Sequence, residues 1–203
     1  MRQTKSATQR FHVLIAGALL AIGMLTLGST AAFCQKAETI EATAMGTGTQ
    51  LGQNVEIRLT INDYSTMEER QVLVDAFAKG QNQGLVTALQ KMRAVGRLSL
   101  TFTVGYDVSF IRMIPTPTGR KIRFITNRPI RFGEAWTDSQ SQSFDLSGGE
   151  IDINDQDKSK STGVFFPRAQ LIIDKQGQLQ IDLAQNSWNL VDVLDWKGTP
   201  GVN

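Results

Sequence analysis

The stretch Asn54–Met92, NVEIRLTINDYSTMEERQVLVDAFAKGQNQGLVTALQKM, decides the fold. Val55, Ile57, Leu59 and Ile61 alternate with Glu56, Arg58, Thr60 and Asn62. A period of two puts the apolar set on one face of a pleated strand and the polar set on the other. Such a strand is half buried, as in an antiparallel sheet, rather than covered on both faces. Ser65 and Glu68 then have the S-x-x-E spacing of a capping box, and Glu68 and Glu69 place negative charge at a helix N-terminus. Val72, Leu73, Ala76 and Phe77 form one helical stripe, Lys79-Gly80 a stop, and Leu85, Val86, Leu89 and Met92 a second stripe. The stretch therefore predicts a strand followed by two short helices over about 65–93, with Phe77 and Leu89 anchoring them.

Outward from it, apolar–polar alternation recurs. Ile40, Ala42 and Ala44 predict a first strand, and GTGTQLG after it a hairpin loop, since no G-K-[ST] ending makes it a phosphate loop. Further strands are predicted at Leu98–Val104, Tyr106–Ile114, Arg120–Thr126, Phe144–Ile153 (interrupted by Ser147-Gly148-Gly149), Val164–Ile173, Gln178–Leu183 and Ser187–Trp196. Asn154–Gly163 reads as a charged, flexible loop, and Gly198–Asn203 as a loose tail. The expected fold is α+β: a single antiparallel sheet of about seven to nine strands, bent or rolled, with the two-helix segment packed on it.

Residues 1–34 read as an export signal. Arg2, Lys5 and Arg10 form a positive n-region, Val13–Leu27 an apolar run, and cleavage is expected after Ala31, Ala32 or Cys34, with Cys34|Gln35 favoured. A lipid-modified Cys34 would need a small residue before it, where Phe33 stands. The apolar run is shorter than the ~20 residues of a membrane-spanning helix, so no membrane span is expected once the signal is removed. Residues 35–203 are then a single periplasmic or secreted domain.

Removing the signal changes the available chemistry. His12 is the only histidine and Cys34 the only cysteine, and both lie in or beside the signal. A mature domain without histidine has no Ser-His or Cys-His nucleophile pair, no internal disulfide and no His/Cys zinc site. Of 21 basic residues, Arg2, Lys5 and Arg10 leave with the signal, so 18 face 19 acidic ones and the net charge becomes −1. Nucleic acid is therefore not an expected partner.

Arg112, Arg120, Lys121, Arg123, Arg128 and Arg131 form the densest charge feature. Arg120, Arg123, Arg128 and Arg131 with Trp136 are the candidate binding residues, offering planar donors and an aromatic face to an anionic ligand or an envelope partner. Asp152, Asn154, Asp155 and Asp157 begin like a calcium loop but lack its glycine and terminal glutamate. Glu134, beside Trp136 and Asp138, is the candidate carboxylate for a sugar site. No cofactor is expected.

The strings YSTMEER (64–70), GYDVSFIR (105–112) and GRKIRFITNRPIRFGEA (119–135) together resemble a family of uncharacterised exported bacterial proteins. That family has no assigned activity, so the resemblance implies export and transfers no catalytic or binding residue. The expected function is a non-enzymatic, exported envelope protein that binds a ligand or partner. The alternative is a carboxylate-dependent hydrolase of cell-envelope glycans. A cleft with two carboxyls about 5–10 Å apart would favour the enzyme, and an apolar concavity without such a pair the binder.

Overall fold

A computed structural model of the chain describes residues 37–101, 103–130, 144–173, 175, 179–184 and 186–196. The described elements are strands β1 (Glu38–Gly46) and β2 (Asn54–Ile61), helix α1 (Met67–Lys91), then β3 (Gly96–Leu100), β4 (Tyr106–Thr116), β5 (Gly119–Thr126), β6 (Leu146–Asn154), β7 (Thr162–Ile173), β8 (Leu179–Leu183) and β9 (Trp188–Asp195). All the pairings are antiparallel. Their order is β6-β5-β4-β3-β2-β1-β9-β7, and β7 pairs again with β6, which closes an eight-stranded barrel. β7 is long enough to serve two purposes. Gly163–Phe165 pair with β9 to close the ring, and Ala169–Ile173 pair with the extra strand β8.

The expected bent or rolled sheet under two helices is thus corrected to a closed barrel, mostly β, with one helix. Alternation says which face of a strand is buried, not which strands pair. A face turned into a barrel and a face turned toward a helix carry the same pattern. Here the barrel interior packs against itself and leaves the helix a separate, smaller cluster. Closure also removes the exposed strand edges that an open sheet would have to protect.

The interior is filled rather than hollow. Ile40, Leu59, Ile111, Ile122 and Ile151 are all at most 1% exposed, and the Phe124 and Phe165 rings stack at 6.3 Å between centroids. Each such side chain contributes about 1.5–3 kcal/mol by leaving water. β6 continues through Ser147-Gly148-Gly149, where the sequence predicts an interruption. Gly149 faces inward, where an added Cβ would lie 2.7 Å from the Phe124 ring. Ser147 plugs the same region, accepting from Ile130 N at 2.6 Å and donating to the Pro167 carbonyl.

Among the described strands three register shifts set the phase of the interior, one of them on β7, where Phe166 pairs with Gly148 but Ala169 with Leu146. On β9, Trp188 and Leu190 face inward; a bulge at Asp192 (φ 51) then shifts the register against β1, so that Val193 and Asp195 face inward too. On β4 a similar shift between Val108 and Phe110 turns Phe110 outward, toward the helix.

α1 lies on the outer face against Phe110 and Leu146, burying Leu73, Leu85, Val86 and Leu89. The expected pair of helices is one helical element kinked at Gln81 (φ 50, ψ −144), next to the predicted stop at Gly80. Its N-cap is Thr66, not Ser65. Glu69 N donates to Thr66 Oγ1 (3.2 Å), and Thr66 N donates to Glu69 Oε2 (2.9 Å). Both S-x-x-E and T-x-x-E registers fit the sequence. Ser65 is drawn instead into the sheet, its N–H donating to Ile111 O (2.8 Å) and its Oγ accepting from Ile111 N (3.1 Å). The stripes are corrected as well: Leu89 is fully buried, Phe77 only half-buried, and Val72 is exposed. β3 ends at Leu100, and Val104, expected in that strand, is 87% exposed. No described helix is long and apolar enough to cross a membrane.

Candidate functional site

β5 separates the arginines that the sequence groups together. Arg120 shares the inward phase of Ile122 and Phe124, whereas Lys121 and Arg123 face out. Arg128, exposed beyond the strand end, stacks over the Tyr106 ring at 5.3 Å. Arg131 and Trp136 lie outside the described residues, as do Glu134, Asp138 and the segment 1–36.

Arg120, 5% exposed, bridges the first and last strands across the barrel. Its Nη2 donates to Glu38 Oε1 on β1 and to Asp195 Oδ2 on β9 (2.5 Å). Tyr64 OH completes the cluster by donating to Glu38 Oε2 at 2.8 Å. Burial, reinforced by the Glu38 carboxylate and only partly opposed by Arg120, pushes the Asp195 carboxyl up to about 6. Burial and Glu38 likewise push the Tyr64 hydroxyl upward. Two carboxyls bonded to one nitrogen lie within about 5 Å of each other, yet that nitrogen fills the space between them. The cluster is a cross-brace inside the barrel, and neither carboxyl lines any of the outer concavities described below.

Among the described residues the outer face has several concavities, two of which exceed 500 Å³. One, of about 590 Å³, lies across β9, β1, β2 and β3 and is polar. Two of its charges engage each other: Glu41 accepts from Arg58 Nε (2.7 Å), and also from Trp196 Nε1 (3.0 Å), while Glu56 and Asp192 line it too. The other, of about 520 Å³, is a trough across β5, β6, β7 and β8. Its walls are Ile125, Leu146, Val164, Phe166, Leu171 and Ile181, and its floor is Gly148 and Gly149.

The trough follows from local sequence. On the outer face Ile125 pairs with Gly148, and Gly148 with Phe166. A glycine between two large neighbours leaves a gap one side chain deep, and glycine in a strand often marks such a close approach. An added Cβ on Gly148 would sit 2.8 Å from the Phe124 carbonyl, so the gap cannot be filled cheaply. Leu171 and Ile181 oppose each other on β7 and β8, forming the far wall, with Ile181 52% exposed. At the helix end, Leu171 N donates to Asn82 Oδ1 (2.9 Å), tying the residue after the α1 kink to the trough.

One rim is charged. Glu150 accepts from Lys121 Nζ and from Arg123 Nε, both at 2.6 Å, and these cations hold its carboxyl below the usual range. Lys121 also reaches Asp152 at 3.4 Å. Arg112 stands directly opposite Arg123 on β4 and forms no side-chain hydrogen bond or ion pair among the described residues. Gln170 and Asp182 bond each other at 2.9 Å across β7 and β8.

Of the sequence candidates among the described residues, only Arg123 lines the trough. Gly148, Phe166, Leu171 and Ile181 were not singled out, although two adjacent glycines inside a strand were a usable signal. The calcium-like run is a turn satisfied by itself. Asn154 Oδ1 accepts from Asp157 N (2.8 Å), and Asp157 Oδ1 accepts from Ser159 Oγ (2.6 Å). Among the described residues no three His, Cys, Asp or Glu side chains gather as a metal site would require. No protein-family model, curated protein or solved structure matches the chain.

Proposed function

We propose that this chain is an exported envelope protein, periplasmic or secreted, that works by binding, with the outer trough as its ligand site. One observation carries the reading: an apolar concavity of about 520 Å³ whose single carboxylate, Glu150, is neutralised by Lys121 and Arg123. Small-ligand sites are concave, mostly apolar, typically about 300–1,000 Å³, and carry a few placed polar groups. Carboxylate-dependent hydrolysis needs a second, opposed carboxyl, and the described residues of the trough lining contain none. Export rests on the charged, apolar and small-residue sequence of residues 1–34.

A neutral solvatochromic dye such as Nile red tests the site. Its fluorescence should rise on binding, fall in Ile181→Glu and stay unchanged in Glu41→Gln, which alters only the polar concavity. Equal binding by Ile181→Glu and wild type would overturn the trough. Turnover of an envelope glycan, lost in Glu134→Gln, would establish the hydrolase instead.

A further inference from the structure

We infer that the trough takes a single-chain alkyl carboxylate, its chain along the Gly148–Phe166–Leu171 floor and wall and its head between Arg112 and Arg123; this rests on the trough being the ligand site. Arg112 and Arg123 are directly opposed on neighbouring strands, an arrangement in which like charges repel. Glu150 relieves only one side of that pair, since it is already shared between Arg123 and Lys121. Beside the trough, among the described residues, Arg112, Lys121 and Arg123 stand against Glu150 and Asp152, an excess of one positive charge, with Arg112 outside the ion pairs. A carboxylate head placed there would bridge two guanidinium groups that have planar donors to offer.

The rest of the trough restricts what the head can be attached to. Ile125, Leu146, Phe166, Leu171 and Ile181 offer no donor or acceptor along the wall, so the body of the ligand must be apolar. Among the described lining residues Arg123 is the one cation, so a second anionic end would find no counter-charge along the far wall. One charged end and one apolar chain define an anionic amphiphile.

The test uses the protein as its host produces it, titrated below micelle-forming concentrations with dodecanoate and, separately, dodecyltrimethylammonium. Dodecanoate should displace Nile red, and the cationic analogue should do so at least about tenfold more weakly, as one charge-assisted hydrogen bond implies. Arg112→Gln should weaken dodecanoate by about tenfold and leave Nile red binding unchanged. Added salt should reduce the wild-type affinity and have a smaller effect on the variant. Equal binding of both amphiphiles, or an unchanged dodecanoate affinity in Arg112→Gln, would overturn the head-group assignment while leaving the trough intact. Equal Nile red binding by Ile181→Glu and wild type would instead overturn the trough itself. Both substituted residues are at least partly exposed, and unchanged far-ultraviolet circular dichroism confirms that each variant folds.

Discussion

Arg120 and Arg123 sit three residues apart on one strand and do opposite work. Arg120 is 5% exposed and holds Glu38 and Asp195 together inside the barrel; Arg123 stands on the outer rim, paired with Glu150 and accessible to solvent. The pleat alone separates them, because an odd spacing along a strand reverses the face. Burial then decides the energetics. Removing one member of a buried, hydrogen-bonded ion group strands the others without water, whereas an exposed pair is screened and replaceable.

The largest expected effect breaks that contrast at its inner end. Arg120→Ala should lower stability by about 3–5 kcal/mol, since Glu38 and Asp195 would remain buried without their cation. Arg123→Ala should cost about 0–1 kcal/mol. Urea midpoints of the two variants measure both, and equal losses would mean that the two arginines share one environment. A comparable loss is expected outside the barrel at the helix: Leu89→Ala should cost about 2–5 kcal/mol, and the half-buried Phe77→Ala less than a fully buried phenylalanine would. A larger loss from Phe77 than from Leu89 would misplace the helix face.

A pH series sharpens the inner cluster. The Asp195 carboxyl titrates near 6 in the folded protein against 3.8 as an isolated group. Below pH ~4 it is protonated in both states, and the folded state keeps its full relative stability. As pH rises from about 4 to about 6 the unfolded chain ionises first, so this group's contribution falls and then levels off. The wild type should therefore lose on the order of 1–3 kcal/mol relative to Asp195→Asn between pH 4 and 7. Glu150 acts in the opposite sense: its lowered pKa adds stability at neutral pH that is lost on acidification, and it is common to both proteins. A flat difference between the two denaturation series would remove Asp195 from the cluster.

The smallest expected effect distinguishes two neighbouring hydroxyls. Thr66→Ala should cost about 0.5–2 kcal/mol through loss of the helix cap. Ser65→Ala should act on the sheet instead, raising amide exchange at Ile111, which donates to the Ser65 hydroxyl. If Ser65→Ala alone frays the first turn of α1, the cap belongs one residue earlier.

The sequence made the pieces legible more readily than their assembly. Alternation in Val55–Ile61 and at Ile122 and Phe124 locates strands and inward faces correctly. The same alternation places Arg120 with Ile122, so its burial was within reach; grouping it with Arg123 as one charged patch set the period of two aside. Closure was not legible. It depends on β1 meeting β9 and on β6 meeting β7, and a bulge at Asp192 sets the inward phase of β9. No local pattern encodes such distant partners. The trough was half legible, since Gly148 marked a missing side chain on the outer face, but its walls come from four different strands.

An amide-resolved nuclear magnetic resonance titration with dodecanoate sets the outer trough directly against the barrel interior. Binding outside a filled barrel predicts that the largest shifts fall on Arg123, Gly148, Phe166, Leu171 and Ile181, while Leu59, Ile122 and Trp188 stay unmoved. Shifts concentrated on those interior residues, or around Glu41 and Arg58 in the polar concavity, would contradict it.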